Sequence, residues 1–167
     1  MASTYEPISS ITLATSSTIT FSNIPQTYTD LVLSTFVISG GSIYPTLRFN
    51  NDDSANYSVN LLVGDGTSPQ IGYDRNYTSM EMMYDAARSY APASVEWNIF
   101  NYASSTYKTV LGRVSNDCSG NVNPGTVSRG VAMWKSTAAI TTITFKPDGG
   151  ASFAAGTIAT LYGIKAA

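Results

Sequence analysis

The chain has 167 residues, a formal net charge of −2 and a charged content of only 12%, about half of the roughly 25% usual for soluble domains. This length fits one domain with a core of its own, and the scattered Lys and Arg residues argue against nucleic-acid binding by phosphate neutralisation. Ser and Thr together account for 42 of the 167 residues. Hydroxyl-rich surfaces tolerate burial against a partner better than Lys- or Glu-rich ones. The composition therefore suits an assembly at least as well as a free monomer.

Residue types that commonly carry catalysis or bind metals are scarce. The chain has no histidine, which removes the commonest general base and the commonest metal ligand. Its one cysteine, Cys118, excludes an intrachain disulfide and is predicted to be a small side chain in a loop. We therefore expect no cofactor and no metal ion.

The N-terminal residues resemble no targeting signal. MASTYEPISS lacks the basic and apolar regions of a secretory signal, and no apolar run approaches the ~20 residues of a membrane helix. We expect synthesis in a cytoplasm and no membrane partner. Met1–Ser9 is predicted to be an N-terminal arm or extended segment, followed by a single β-sandwich domain over residues 10–167.

Short stretches with strand-like alternation recur along the chain, separated by turn residues. The cleanest alternation is in Ser94–Phe100, where Trp97 is predicted to face the core. Before the closing stretch, strands are predicted at Ser10–Leu13, Thr18–Phe21, Leu31–Ile38, Thr46–Phe49, Tyr57–Val63, Thr78–Tyr84, Ser94–Phe100, Tyr107–Val114 and Thr126–Trp134.

The connections contain the expected turn residues. Gly64–Gly66 predicts a tight turn, and Thr67–Asp74 is predicted to be a loop. Ala86–Ala91 fits either a helical turn or a loop, and Ser115–Gly125 is predicted to be a long polar loop. No segment shows sustained helical periodicity.

The closing stretch Ile140–Lys165 is predicted to form two strands around a Gly-rich loop, as a hairpin that pairs with the N-terminal strands. Ile143, Phe145 and Leu161 are its predicted core residues, and its Thr-rich face is free to meet a neighbour. The whole pattern predicts an all-β fold, an antiparallel jelly-roll-like β-sandwich of about nine to eleven short strands. A barrel of the same strands is the alternative.

Two spacings were tested as catalytic motifs. Glu81 and Glu96 lie on neighbouring predicted strands and would resemble the carboxylate pair of a glycosidase if they faced each other. Ser105 and Lys108 have the S-x-x-K spacing, but the companion motifs of β-lactam-binding enzymes are missing. Outward-facing strand residues explain the glutamates better, and we predict no catalytic residues and no enzyme activity.

Asp52, Ser54 and Asn56 have the spacing of the first three ligands of an EF-hand loop. The sixth position is Tyr57 instead of Gly, and the twelfth is Val63 instead of Glu. The calcium pattern fails at both places, so an Asn- and Asp-rich turn is the better interpretation.

The chain has eleven tyrosines, many for this length. Tyrosine is favoured at interfaces but is also common in strands, so a mixture of core and contact positions is expected. Candidates for a sugar-stacking surface or a protein interface are Tyr57, Tyr73, Tyr77, Tyr84, Tyr90, Tyr102 and Tyr107.

Five segments resemble a family of small virion structural proteins of tailed bacteriophages, common among phages of cyanobacteria and marine bacteria. None of the five is a catalytic motif, and together they span most of the chain. The segments are IPQTYTDLVL (Ile24–Leu33), LRFNNDDSANYS (Leu47–Ser58), NYASSTYKTVLGR (Asn101–Arg113), VAMWKSTAAITTITF (Val131–Phe145) and FAAGTIATLYGIKAA (Phe153–Ala167).

The resemblance implies a β-sandwich or jelly-roll module found as capsid decoration (cement) proteins, head fibres and tail-fibre modules. This chain lacks the heptads or repeats of a fibre shaft, which favours a decoration protein. By analogy we expect a homotrimer that binds the major capsid protein in the virion, after synthesis in the bacterial host cytoplasm. The alternatives are a tail- or fibre-associated receptor- or carbohydrate-binding module and, more remotely, a cell-wall hydrolase.

Overall fold

The computed structural model describes residues 5–15, 18–41, 43–81, 92–116, 125–148 and 152–165. Within these ranges the ordered elements are strands, and no helix is long and apolar enough to cross a membrane. The strands are β1 (Tyr5–Thr12), β2 (Ile19–Phe21), β3 (Asp30–Val37), β4 (Tyr44–Phe49), β5 (Tyr57–Gly64), β6 (Pro69–Tyr77), β7 (Met80–Glu81), β8 (Ala93–Phe100), β9 (Lys108–Asn116), β10 (Thr126–Trp134), β11 (Ile143–Asp148) and β12 (Ile158–Ile164).

The strands form two antiparallel sheets. One has eight strands in the order β1-β12-β3-β8-β9-β10-β5-β6, and the other has four in the order β2-β11-β4-β7. The predicted all-β antiparallel sandwich is confirmed, with twelve described strands instead of nine to eleven. The strand that the sequence pattern missed is β6.

The pairing has the nested order of a jelly roll. β1 pairs with β12, β2 with β11, β3 with β8 and β4 with β7, as if one long hairpin had been rolled up. The remaining four strands are two hairpins inserted into this scheme. β5–β6 lies in the chain between β4 and β7, and β9–β10 lies between β8 and β11. Side by side, the two hairpins widen the larger sheet from four strands to eight.

The core lies between the sheets because strand side chains alternate. Along β8 the residues Ala93, Val95, Trp97 and Ile99 are all buried, and their neighbours are more exposed. The predicted core positions Ile143, Phe145 and Leu161 are fully buried, as is Trp97. Phe145 stacks on Phe153 with ring centroids 4.6 Å apart. Here the alternation identified the buried face correctly.

The predicted closing hairpin is wrong. β11 belongs to the four-stranded sheet and pairs with β2 and β4, whereas β12 belongs to the eight-stranded sheet and pairs with β1 and β3. Alternation reports which face of a strand is buried and carries no information about its hydrogen-bonded neighbour. The expectation that the final strand pairs with an N-terminal one is confirmed by β1, which also contains Tyr5–Ser9 of the predicted arm.

Two further segments differ from expectation. The predicted loop Thr67–Asp74 largely belongs to β6, which within the described residues is an edge strand paired on one side only and therefore needs no clean apolar alternation. Of the predicted strand Thr78–Tyr84, the described residues 78–81 contain Met80–Glu81 as β7, and residues 82–84 lie outside the described ranges. Cys118, the segment Ala86–Ala91 and most of the predicted loop Ser115–Gly125 lie outside the described residues.

The two tryptophans differ in one contact, which predicts different costs for the same substitution. Both are buried, but Trp134 Nε1 donates to Asp52 Oδ2 at 2.7 Å, whereas Trp97 Nε1 has no hydrogen-bond partner within the described part of the chain. Trp134→Phe should therefore lower the free energy of unfolding by about 2 kcal/mol more than Trp97→Phe, since it alone breaks a charge-assisted hydrogen bond. Urea denaturation measures both, and equal costs would contradict the assignment.

Candidate docking face

The outer face is the side of the eight-stranded sheet that points away from the four-stranded sheet. Single exposed apolar residues are ordinary, but all seven of the large exposed ones other than tyrosine, among the described residues, lie on this face. Ile71 is 82% exposed, Val127 60% and Leu62 58%. Such clustering marks an interaction surface. The seven are Phe36, Leu62, Ile71, Leu111, Val127, Val131 and Ile158.

A groove of about 520 Å³ crosses the outer face over β5, β10, β9 and β8. Its aliphatic walls are Leu62, Leu111 and Val131, and its polar groups include the amides of Asn60 and Asn98. A mixed lining of this kind, with apolar area and a few convergent polar groups, is typical of a binding site.

Strand register sets the positions of the groove residues in two rows. In the first row Glu96 lies opposite Arg113, Arg113 opposite Arg129, and Arg129 opposite Leu62. In the second row the order is Asn98, Leu111, Val131 and Asn60. The first row therefore runs from polar to apolar, whereas the second has an amide at each end and two aliphatic residues between them. Each of the four strands supplies one residue to each row.

Between the rows the strands expose only backbone on this side. Gly112 and Gly130 lie directly opposite each other in the register of β9 and β10, and both line the groove. Residues between the two rows are in the phase that points to the inner face, so on the outer side only their main chain lines the bottom of the groove.

The charges of the groove do not balance. Arg113 Nη2 lies 2.7 Å from Glu96 Oε2, and Asn98 Nδ2 donates to Glu96 Oε1 at 3.1 Å. These contacts leave Glu96 occupied at both oxygens. Arg129 is exposed and makes no ion pair or side-chain hydrogen bond within the described chain, although it lies opposite the like-charged Arg113. The described groove side chains thus carry one uncompensated positive charge.

Two neighbouring depressions continue the groove along the outer face. The first shares Arg113 and Arg129 with it, and the second reaches Phe36 past Ser115 and Val127. The combined trough spans much of the sheet, from Leu62 on β5 to Phe36 on β3. Its length suits an extended or flat partner.

The two inserted hairpins build most of this surface. Of the four strands beneath the main groove, only β8 belongs to the nested jelly-roll scheme, while β5, β9 and β10 come from the insertions. The groove is therefore an addition to the basic fold, which is where function is commonly placed.

The candidate carboxylate pair is not brought together on one sheet. Glu81 lies in β7 of the four-stranded sheet, and Glu96 lies on the outer face of the eight-stranded one, paired with Arg113. The geometry gives Glu96 a role in orienting Arg113.

Asp52 forms a hydrogen-bonded turn instead of the start of a calcium loop. Its Oδ1 accepts from the Ser54 amide at 3.0 Å, and its Oδ2 accepts from Asn56 Nδ2 at 2.9 Å and from Trp134 Nε1 at 2.7 Å. Burial by itself would raise the pKa of Asp52, but the hydrogen bonds outweigh it and lower the pKa to about 2. The carboxylate thus fastens the start of β5 to the end of β10.

Lys108, the lysine of the S-x-x-K spacing, is fully buried on the inner face of β9. Its Nζ donates to the main-chain oxygens of Ser104 at 2.8 Å and Thr106 at 2.5 Å. Burial lowers the pKa of Lys108. The ammonium group holds the preceding turn together, a structural role.

The candidate tyrosines do not form one platform. Tyr57 and Tyr102 are buried, which corrects their assignment to a contact surface, whereas Tyr77 and Tyr107 are exposed. Buried Tyr57 donates from its hydroxyl to the main-chain oxygens of Phe49 and Asp52, and burial raises its pKa. Tyr84 and Tyr90 lie outside the described residues, and for Tyr73 only the strand position in β6 is described.

Apart from Glu96, sequence reasoning missed the groove residues. The available signal was an apolar residue in the polar phase of an alternating strand, such as Leu62 in β5, Leu111 in β9 and Val131 in β10. Three such residues on separate strands form a patch only once their register is known.

The described ranges hold no group of three or more Asp, Glu, Cys or His side chains placed to bind a metal ion. The described side chains of the groove supply aliphatic walls, amides, guanidinium groups and the Glu96 carboxylate. No family model, curated protein or solved structure matches the chain.

Proposed function

We propose that the protein is a non-enzymatic structural component of a bacteriophage virion, a capsid decoration protein that binds and stabilises the assembled head. The observation that carries the docking role is the clustering of seven exposed apolar side chains on one broad face of the sandwich. The phage assignment itself comes from the five segments that resemble small virion proteins.

The physics of the outer face suits this role. A decoration protein stabilises the head by binding the assembled lattice in preference to the loose subunit, and that requires a broad, weakly charged surface. Within the outer face, the main groove offers apolar area, two amide side chains and a single uncompensated charge among its described side chains. We further propose the major capsid protein as the partner and a homotrimer as the bound form, both by analogy with the resembling family.

Fractionated particles test the proposal directly. Heads and tails would be purified from phages whose genomes encode this sequence, and the chain would be quantified in each fraction by mass spectrometry. A fixed copy number per capsomer in heads supports a decoration protein. Its presence in tails together with its absence from heads would replace that proposal with the tail-associated receptor- or carbohydrate-binding module.

Leu111→Asp should separate docking from folding. Leu111 is half exposed on the outer face, so the free energy of unfolding should change by about 0.5 kcal/mol or less. Binding to heads stripped of the protein should weaken at least about tenfold, because a carboxylate would have to be desolvated against an apolar partner. Sedimentation with heads measures the binding.

Thr20→Asp is the matched control for this experiment. Thr20 is exposed on β2 in the other sheet, so the same negative charge is added away from the outer face. Head binding should be retained in this variant. Equal loss in both variants would show that net charge, and not the outer face, governs docking.

A further inference from the structure

The main groove contains one charged group that the fold itself does not use. Arg129 is exposed, lies opposite Arg113 across the strand pair, and has no ion pair or side-chain hydrogen bond to any described residue. Like charges placed directly opposite on a sheet destabilise it. Arg113 Nη2 lies 2.7 Å from Glu96 Oε2, and this ion pair neutralises Arg113. The unpaired positive charge of the two arginines is therefore that of Arg129.

The surroundings of Arg129 favour a carboxylate as the missing group. Its guanidinium can donate two parallel hydrogen bonds to a planar carboxylate. Leu62 lies next to it in the same row, and Val131 lies two residues further along β10 on the same face. These aliphatic side chains would exclude water from a bound ion pair and strengthen it. The amide of Asn60 lines the same groove and offers a further donor.

The same features disfavour two other occupants. A second copy docked face to face would bring two uncompensated arginines to one interface, which costs free energy unless another charge intervenes. Sugars are commonly held on aromatic rings, and none of the described side chains lining the main groove is aromatic. A protein segment that combines an acidic residue with aliphatic neighbours matches both the charge and the walls.

We propose that the groove recognises a carboxylate side chain of a partner protein, flanked by aliphatic residues, and that Arg129 is the residue that pairs with it. This inference rests on the proposed docking role for the identity of the face, and it adds the chemistry of the partner. Arg113, fixed by Glu96, orients the site and is a positioning residue.

Two blocked pentapeptides that differ only at the central residue provide the test. The first is Ser-Leu-Glu-Val-Ser, and the second is Ser-Leu-Gln-Val-Ser. Titration into the 15N-labelled chain at low salt, followed by amide chemical shifts, measures affinity and location together. We expect shifts centred on β9 and β10 and about fivefold tighter binding of the Glu peptide, as a partly exposed ion pair provides.

Two variants complete the experiment. Arg129→Gln should fold normally, because the side chain is exposed, and should bind both peptides equally. Lys146→Gln removes one positive charge from β11 in the other sheet and should keep the fivefold preference. This pair distinguishes a local contact from an effect of net charge.

Several outcomes would overturn the inference. These are equal affinity of the native chain for the two peptides, shifts outside the groove, or no shifts at millimolar peptide. Groove shifts that depend on protein concentration alone would instead identify a second copy as the occupant. The titration needs no virion, so its failure is distinguishable from a failure of the proposed function, which particle fractionation tests.

Discussion

Replacing Gly163 with alanine should lower the free energy of unfolding by about 4 kcal/mol, through overpacking and the hydrogen bond that is then lost. A Cβ atom at Gly163 would lie 2.3 to 2.5 Å from ring carbons of Tyr28, which covers β12 at this point. The Tyr28 ring would have to leave its site. It would then lose the hydrogen bond from its hydroxyl to Glu6 Oε2 at 3.2 Å and its place beneath Lys165 Nζ, 5.6 Å from the ring centroid.

Gly64→Ala is the matched control. Gly64 also lies in a strand of the same sheet, but a Cβ atom there would meet open space. The nearest atom to a Cβ there is the Val127 main-chain oxygen at 3.9 Å. This variant should stay within about 0.5 kcal/mol of the native chain. In a Tyr28→Ala background, Gly163→Ala should become nearly neutral. Guanidinium denaturation measures all five chains, and coincident midpoints for Gly163→Ala and Gly64→Ala would refute the packing argument.

Asp52→Ala should lower the free energy of unfolding by about 3 kcal/mol, because a buried donor loses a charged acceptor. Three hydrogen bonds end on this carboxylate, from Ser54, Asn56 and Trp134. Without it the indole N–H of Trp134, a buried residue, has no partner. Asp53→Ala removes the same charge from the exposed neighbour and should cost far less. Urea denaturation at neutral pH compares the two, and similar midpoints would argue against the network.

The acid limb of the stability curve provides a second measurement on Asp52. Hydrogen bonds lower the pKa of this carboxyl from its ordinary value of 3.8 to about 2, despite the opposing effect of burial. The unfolded chain therefore takes up the proton first as pH falls. The stabilisation is complete above about pH 4 and is lost as pH falls towards about pH 2. The difference in stability between the native chain and Asp52→Ala should narrow across this window.

The local sequence pattern predicted which face of a strand is buried more successfully than which strands pair with each other. Alternation in Ser94–Phe100 predicted that Trp97 is buried, and the core positions Ile143, Phe145 and Leu161 were found in the same way. These predictions succeed because burial follows the period of two within one strand. The pairing of β11 with β2 and β4 escaped prediction, since nothing inside a strand specifies its neighbours.

The candidate site was harder to predict because it depends on pairs of strands. Leu111 and Arg129 are ordinary residues in isolation, and each is in the outward phase of its own strand. Only the register of β9 on β10 places Arg129 opposite Arg113, where no other described side chain compensates its charge. That register is fixed by the whole hairpin together with β5 and β8, which lie far apart in sequence.

The nested pairing of the strands also determines how much chain entropy is lost when each strand pair forms. Thr12 pairs with Ile158 at one end of β1, whereas Asn116 pairs with Thr126 at the loop end of the β9–β10 hairpin. Closing the longer loop costs about 2 kcal/mol more in chain entropy. The hairpins that bear the groove therefore rest on local contacts. The jelly roll that supports them depends on the most distant contacts of the chain, which slow folding in all-β proteins.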